Sequence, residues 1–205
     1  MTKFYKVIIL LVATIFTGCS INHPIAKDYG QYLENNRGNS SLPKSGVEAE
    51  YSISEQTLNH RYEFRAATVG YAHLWIVEFG DILKETLKST DVQEAFGGLS
   101  EVKGESQKNL IVFNLENYEF KNHHAYISLN ISLAENSQVK FEKTYHSEGA
   151  SQGGKMFWGG PFAMKNATQQ STKLAIDKII SEFIEDINRN FLVQSSLTNQ
   201  ARGTP

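Results

Sequence analysis

The stretch Ala125-Tyr-Ile-Ser-Leu-Asn-Ile-Ser-Leu133 decides the fold class of this 205-residue chain. Its odd positions are all apolar, and three of its four even positions are Ser or Asn, so the pattern repeats every two residues. A period of two is typical of a strand that is buried on one face. The turn candidate Glu135-Asn-Ser-Gln138 follows, and the apolar residues of 139–145 resume the alternation. The sequence therefore predicts a β-hairpin here.

Three other segments have the composition and spacing of strands. Residues 47–54 alternate apolar and polar side chains, residues 61–68 place Tyr62 and Phe64 on one face, and residues 110–120 are again strand-like. Two of these segments precede the first predicted helix and the third precedes the hairpin. The sequence thus predicts five strands in all.

Two helices are predicted from apolar residues at helical spacing. The first covers Ala72 to Lys88, and the second runs from about Ala167 to Phe191 with Asn166 as its N-cap. The apolar stripe of the second consists of Ile176, Ile179, Ile180, Phe183, Ile184, Ile187 and Phe191. We therefore expect an α+β domain, an antiparallel sheet with two main helices packed on one face, in the order β-β-α-β-β-β-α.

The N-terminus has the features of an export signal. Lys3 and Lys6 precede an apolar run from Val7 to Phe16, which is about half of the roughly 20 residues that a membrane-spanning helix needs. The next residues, Thr17-Gly-Cys19, place small side chains directly before a cysteine. This resembles the lipobox of bacterial lipoproteins, which are cleaved before the cysteine and acylated on it. The alternatives are a plain signal peptide with a chance cysteine, or an N-terminal membrane anchor.

These signals divide the chain into four parts. We expect a lipoprotein signal peptide at 1–18, a flexible tether at 19–46, a single periplasmic α+β domain at 47–191 and a polar tail at 192–205. In enteric-type lipoproteins an Asp after the cysteine favours retention at the inner membrane, and Ser20 stands there instead. The expected location is therefore the outer membrane, with the domain lipid-anchored and facing the periplasm.

Composition excludes some classes of function. Loss of the signal would remove two lysines and leave 18 basic against 22 acidic side chains, a formal charge of −4. No basic cluster interleaved with aromatic residues is present, so nucleic-acid binding is not expected. The chain has one cysteine, Cys19, so an internal disulfide is excluded and the core alone must stabilise the domain.

We find no motif that indicates catalysis, a metal or a cofactor. His123 and His124 are neighbours and would point to opposite faces of a strand, so they cannot easily share one metal ion. His146 and Ser147 do not stand in a nucleophile frame, and residues 149–160 lack a phosphate-binding glycine motif. We therefore expect a protein that is not an enzyme and needs no cofactor.

An aromatic segment within a glycine-rich frame is the main candidate for a binding surface. It covers Gly153 to Met164 and contains Met156, Phe157, Trp158, Phe162 and Met164. Its glycines argue against a regular helix or strand. Under one interpretation these side chains bind a partner, because aromatic residues and Met are common in interfaces. Under the other interpretation they fold back and cap the core of their own domain.

One segment carries a family resemblance. Lys143-Thr-Tyr-His-Ser-Glu-Gly-Ala-Ser-Gln152, followed by the amphipathic helix, is similar to the end of the hairpin in YajG-like bacterial outer-membrane lipoproteins. The similarity extends over residues 62–188, and the Gly153 to Met164 segment is an insertion relative to that family. The resemblance implies an outer-membrane lipoprotein that faces the periplasm, and it supplies no catalytic residues.

Two functions are compatible with these observations. The first is a membrane-anchored lipoprotein that has a non-catalytic binding or scaffold role in the cell envelope, with the membrane and an envelope protein as partners. The second is a lipid- or ligand-carrying accessory subunit of an envelope transport system. A carrier should enclose an apolar cavity, whereas a scaffold should have a filled core and an exposed patch.

Overall fold

The computed structural model describes residues 20–38, 41–104, 109–150 and 153–202, with the side chains of 68, 153–158 and 191–202 outside the description. Eight strands and five α-helices are found in these ranges. The strands are β1 (Ile21–Pro24), β2 (Ala49–Ile53), β3 (Arg61–Phe64), β4 (His73–Glu78), β5 (Ser100–Glu101), β6 (Asn109–Lys121), β7 (His124–Glu135) and β8 (Gln138–Glu148). The helices are α1 (Tyr29–Asn35), α2 (Glu55–Leu58), α3 (Phe79–Lys88), α4 (Thr90–Phe96) and α5 (Gly153–Arg202), and 3-10 turns lie at Ala26–Asp28 and Ala67–Val69.

The strands form two sheets. The small sheet has the order β1-β4-β3, and the large sheet has the order β5-β2-β6-β7-β8. In the small sheet β1 is parallel to β4, and in the large sheet β2 is parallel to both β5 and β6. The α+β class is confirmed. The expectation of one antiparallel sheet with two helices in the order β-β-α-β-β-β-α is wrong in detail, because both sheets are mixed and five helices are described.

The predicted hairpin is present as β7 and β8. Alternate residues of β7, from Ala125 to Leu133, are at most 2% exposed and face the core. The turn between the strands places Asn136 and Ser137 at φ of 49° and 63°, and Glu135 pairs with Gln138. Two residues with positive φ match the right-handed twist of the flanking strands, which is why the turn closes here.

Helix α5 supplies the other half of the core. Its apolar stripe from Ile176 to Ile187 is at most 1% exposed and lies against β7 and β8. The described core thus lies between this helix and the inner face of the large sheet, and the small sheet closes one end of it. There the ring of Phe64 in β3 contacts the ring of Phe120 in β6, with 4.9 Å between centroids. No helix among the described residues is both long and apolar enough to cross a bilayer.

The predicted flexible tether at 19–46 is contradicted over the part that the structure describes. Residues 21–35 form β1, a 3-10 turn and α1. Ile25, Tyr29 and Leu33 are 0%, 0% and 4% exposed and belong to the core. These three residues recur every four positions, so they line one side of a short helical segment that packs onto the domain.

The predicted helix at 72–88 divides into a strand and a helix. Trp75, Ile76 and Val77 are all buried in β4, and the chain turns into α3 at Phe79. Aromatic and β-branched residues favour extended backbone, which explains the strand. The polar tail predicted at 192–205 also differs, since the backbone of α5 remains helical to Arg202.

Candidate functional site at the start of the long helix

The start of α5 corrects the expectation of an irregular loop at Gly153 to Met164. The backbone is helical from Gly153, and it breaks only at Gly160, where φ is 57° and ψ is −146°. This conformation is accessible almost only to glycine. Pro161 then begins the second helical part, a position that suits its fixed φ and missing N–H. The glycines therefore permit a break between two helices.

The predicted binding residues do not share one environment. Phe162 is 80% exposed, whereas Met164 is 1% exposed and belongs to the core. Met156, Phe157 and Trp158 lie in the first helical part, and their side chains are outside the description. Only Phe162 is therefore placed as an exposed apolar side chain.

Charged and amide groups fix this part of the helix onto the N-terminal segment. The ammonium group of Lys165 lies 2.8 Å from Oδ2 of Asp28, and the Gln169 amide donates to Oδ1 of Asp28 over 2.8 Å. Partial burial alone would raise the pKa of Asp28, but the hydrogen bond and charge of Lys165 outweigh it and leave this pKa lowered. These contacts fix α5 to the N-terminal segment about one turn after Phe162. The helix therefore presents Phe162 from a fixed position.

An open groove lies next to Phe162. It has a volume of about 480 Å³ and is lined by residues of α1, the residue after it, and α5, namely Tyr32, Asn35, Asn36, Ala163, Asn166, Ala167 and Gln170. Phe162 and Asn166 are four residues apart, so they share one face of the helix. Amide side chains both donate and accept hydrogen bonds. We call Phe162 and this groove the α5 surface.

A buried cluster of charged side chains lies farther along α5, after the residues of the α5 surface. Lys173 pairs with Asp177 one turn along α5, and its Nζ lies 3.9 Å from Oδ2 of Asp91 at the start of α4. The side chains of Lys173, Asp177 and Asp91 are 7%, 11% and 14% exposed, respectively. Two carboxylates around one ammonium compensate the burial of the charges, so this cluster joins α5 to α4 as a structural contact.

The histidines considered above lie in strands or in a turn of the large sheet. His123 lies in the two-residue turn between β6 and β7, with φ of 67°, and His124 begins β7 with its Nδ1 2.5 Å from Oε1 of Glu148. A 2.7 Å hydrogen bond joins Nδ1 of His146 and the hydroxyl of Ser128. Among the described residues, no group of three or more His, Cys, Asp or Glu side chains is arranged to hold a metal ion.

The Ser128–His146 contact is a pair that sequence reasoning missed. The two residues are 18 positions apart and meet because they are register partners in β7 and β8. A serine hydroxyl that is hydrogen-bonded to an imidazole is the smallest arrangement in which a nucleophile meets its general base. The contact is exposed on the outer face of the large sheet, where water competes for both groups, so we treat it as a cross-strand hydrogen bond.

A second histidine contact links β1 to β4. Nε2 of His23 and Nδ1 of His73 are 2.7 Å apart, and the His23 ring stacks on Trp75 at 5.5 Å between centroids. Burial lowers the pKa of His23, and the nearby charges of His73 and Lys165 lower it further. The neutral ring is therefore favoured in the folded protein.

Comparison with known proteins gives a likeness to solved structures, one of which is named below. No family model matches the chain, and no curated protein is similar to it. The crystal structure of protein XCC0632 from Xanthomonas campestris, of the bacterial family DUF330, superposes with a TM-score of 0.48 and 14% identity. The superposition covers 74% of this chain and 91% of that one. Cys19 lies outside the described residues, so lipidation and the resemblance to YajG-like lipoproteins stay predictions.

Proposed function

We propose that this protein is a lipid-anchored lipoprotein of the bacterial outer membrane with a non-catalytic binding or scaffold role. The observation that carries the proposal is Phe162, a large apolar side chain that is 80% exposed on a firmly held helix. Single exposed apolar residues are common, but this one lies beside a groove whose amides can pair with a peptide backbone. The partner we propose is an envelope protein that inserts a segment along the α5 surface.

The packing of the domain supports a scaffold over a carrier. A lipid carrier would need an enclosed apolar cavity, since pockets for such ligands bury most of the ligand surface. The inner residues of β7 and α5 are almost fully buried against each other. A second groove, of about 630 Å³ between α1 and α3, is open, and its lining includes Asp28, Asp81, Lys84 and Glu85. Neither groove has the lining of a lipid cavity.

The anchor is tested by labelling cells with a palmitate analogue. We expect wild-type protein and Ser20→Ala to incorporate the label, because both keep Cys19. Cys19→Ser should lose it, since the thiol is the acceptor of the lipid. Equal labelling of Cys19→Ser and wild type would refute the anchor. As a second experiment, separation of the inner from the outer membrane tests the location.

The binding role is tested with a matched pair of substitutions on one helix. Phe162→Ser removes the exposed ring, and Leu174→Ser, at a position 37% exposed, is the control. After mild cross-linking of intact cells, we expect the same envelope protein to be recovered with wild type and Leu174→Ser and several-fold less of it with Phe162→Ser. Unchanged recovery with Phe162→Ser would exclude the α5 surface. A bound lipid in the purified protein would instead favour the transport accessory role.

A further inference from the structure

The folded domain begins almost directly after the predicted lipid-bearing residue. Ser20 already accepts a hydrogen bond from Nη2 of Arg65 over 3.2 Å, and the N–H of Ile21 donates to the carbonyl of Ala72 over 2.8 Å. Only two residue steps separate Cys19 from Ile21, and two steps span at most about 7 Å. A lipid on Cys19 would therefore leave no length of free chain before β1.

The end of the small sheet where β1 begins has a composition that suits a membrane surface. Ile21 is 50% exposed and Tyr71 is 70% exposed. Arg65 is also exposed, and its guanidinium contacts the carbonyl of Tyr71 as well as Ser20. Tyrosine is enriched at the level of lipid headgroups, and arginine binds phosphate by charge and hydrogen bonds. We call Ser20, Ile21, Arg65 and Tyr71 the β1 end.

We propose that the β1 end rests on the surface of the lipid bilayer and sets the orientation of the whole domain. The proposal rests on the anchor at Cys19 that is proposed above. The headgroup layer is about 5–7 Å thick on each side of the hydrocarbon core, which matches the reach from Cys19 to Ile21. Tyr71 and Ile21 then enter the headgroup layer, and Arg65 meets lipid phosphates. The domain is held at the membrane and does not stand off on a tether.

The structure supplies a control position far from the β1 end. The small sheet contacts the large sheet at Phe120, which is paired with Ala125 near the β6–β7 turn. Val139 is 60% exposed and lies at the β7–β8 turn, at the other end of the 12-residue strand β7. Twelve residues of strand span about 40 Å, so Val139 should remain clear of the bilayer.

The experiment places the photoreactive residue p-benzoylphenylalanine at Tyr71 or at Val139 in the full chain. The purified lipoproteins are reconstituted into vesicles of phosphatidylethanolamine and phosphatidylglycerol, irradiated, and analysed by mass for covalently attached lipid. Both positions are exposed, so neither substitution should disturb the core. In the same samples, the mass of the N-terminal peptide reports whether Cys19 is acylated.

We expect acylated protein to capture lipid at position 71 with a yield several-fold above that at position 139. Acylated protein with equal or no lipid capture at position 71 would overturn the docking of the β1 end while the anchor stands. Capture of a second protein molecule at position 71 in place of lipid would overturn it too. Absence of acyl chains on Cys19 would overturn both the proposed anchor and the proposed orientation.

Discussion

The side-chain amide of Gln169 donates a hydrogen bond to the backbone carbonyl of Ile25 over 3.1 Å and so joins two residues that are 144 positions apart. On its other side, the N–H of Ile25 donates to the carbonyl of Ile76 over 2.8 Å. The N-terminal segment is therefore held between β4 and α5. This double attachment explains why the segment is ordered despite its polar composition.

Replacing Gln169 tests this attachment. Gln169 is 2% exposed, and Gln169→Ala would leave the buried carbonyl of Ile25 without the Gln169 donor. We expect a loss of about 1–3 kcal/mol in the free energy of unfolding, measured by urea denaturation. Gln170→Ala is the control and should change it by less than about 0.5 kcal/mol, since Gln170 lines an open groove. Equal effects of the two changes would contradict the proposed role of Gln169 in attaching the N-terminal segment.

The stripe of α5 makes a strong prediction about stability. Ile180 is 1% exposed, so Ile180→Asp would place an unpaired charge in the core. We expect a destabilisation of more than about 4 kcal/mol, enough to unfold the domain or abolish its cooperative melting. Leu174→Asp on the same helix, at a partly exposed position, should melt near the wild-type temperature. An unchanged melting temperature for Ile180→Asp would show that the stripe is not core.

The break at Gly160 predicts opposite outcomes for two nearby residues. Met164→Ala should cost about 2–5 kcal/mol of stability because Met164 is buried in the core. Phe162→Ala should change stability by no more than about 0.5 kcal/mol, since its ring is mainly in solvent. Thermal unfolding of the two purified variants decides the matter. Similar losses in both would mean that Phe162 also packs against the domain.

The His23–His73 contact predicts a dependence of stability on pH. The pKa of His23 is lowered from its ordinary value of 6.5 in the folded protein, by burial first and then by the charges of His73 and Lys165. Between the folded and unfolded pKa values the unfolded chain binds more protons, so the free energy of unfolding falls as the pH drops below 6.5. Above that pH the contribution is fully present. Burial lowers the pKa of His60 as well, so His60 adds a loss of the same sign.

The measurement compares urea denaturation at about pH 7.5 and about pH 5.5, a range in which histidines titrate. His23→Gln should lose less stability on acidification than wild type does, and His60 should contribute to the loss that remains. His146→Gln, on the exposed outer face of the large sheet, should follow wild type. A pH dependence that is the same in all three proteins would rule out a role for His23.

Local periodicity was sufficient for the elements that form the centre of the fold. The alternation of residues 125–133 and the stripe from Ile176 to Ile187 each require a single buried face, and both are buried as expected. Partner choice could not be predicted in the same way. Residues 49–53 are a recognisable strand, but their own sequence does not indicate that they pair in parallel with β6, a strand that begins more than 50 residues later.

At two places the composition of the sequence indicates a different local structure from the one that forms. The abundance of Asn, Pro, Gly and Ser in residues 20–46 suggested a tether, although Ile25, Tyr29 and Leu33 already had helical spacing. The glycines of residues 153–160 suggested a loop, although one glycine in an unusual conformation is enough to separate two helices. The Ser128–His146 contact depends on strand register, which shifts between Leu133 and Ala134 in a way that the predicted turn does not indicate.

If the chain is exported by the route proposed above, the attachment of Ile25 by Gln169 has a consequence for the order of events. A chain that is translocated from its N-terminus delivers Ile25 long before Gln169, so the carbonyl of Ile25 lacks its Gln169 donor during most of the passage. Proteins with many contacts between such distant parts of the chain also fold slowly. Processing at Cys19 would therefore act on an open chain with free access to the thiol. Arrival of α5 would then close the N-terminal segment onto the domain, beside the bilayer to which the proposed lipid anchor attaches the chain.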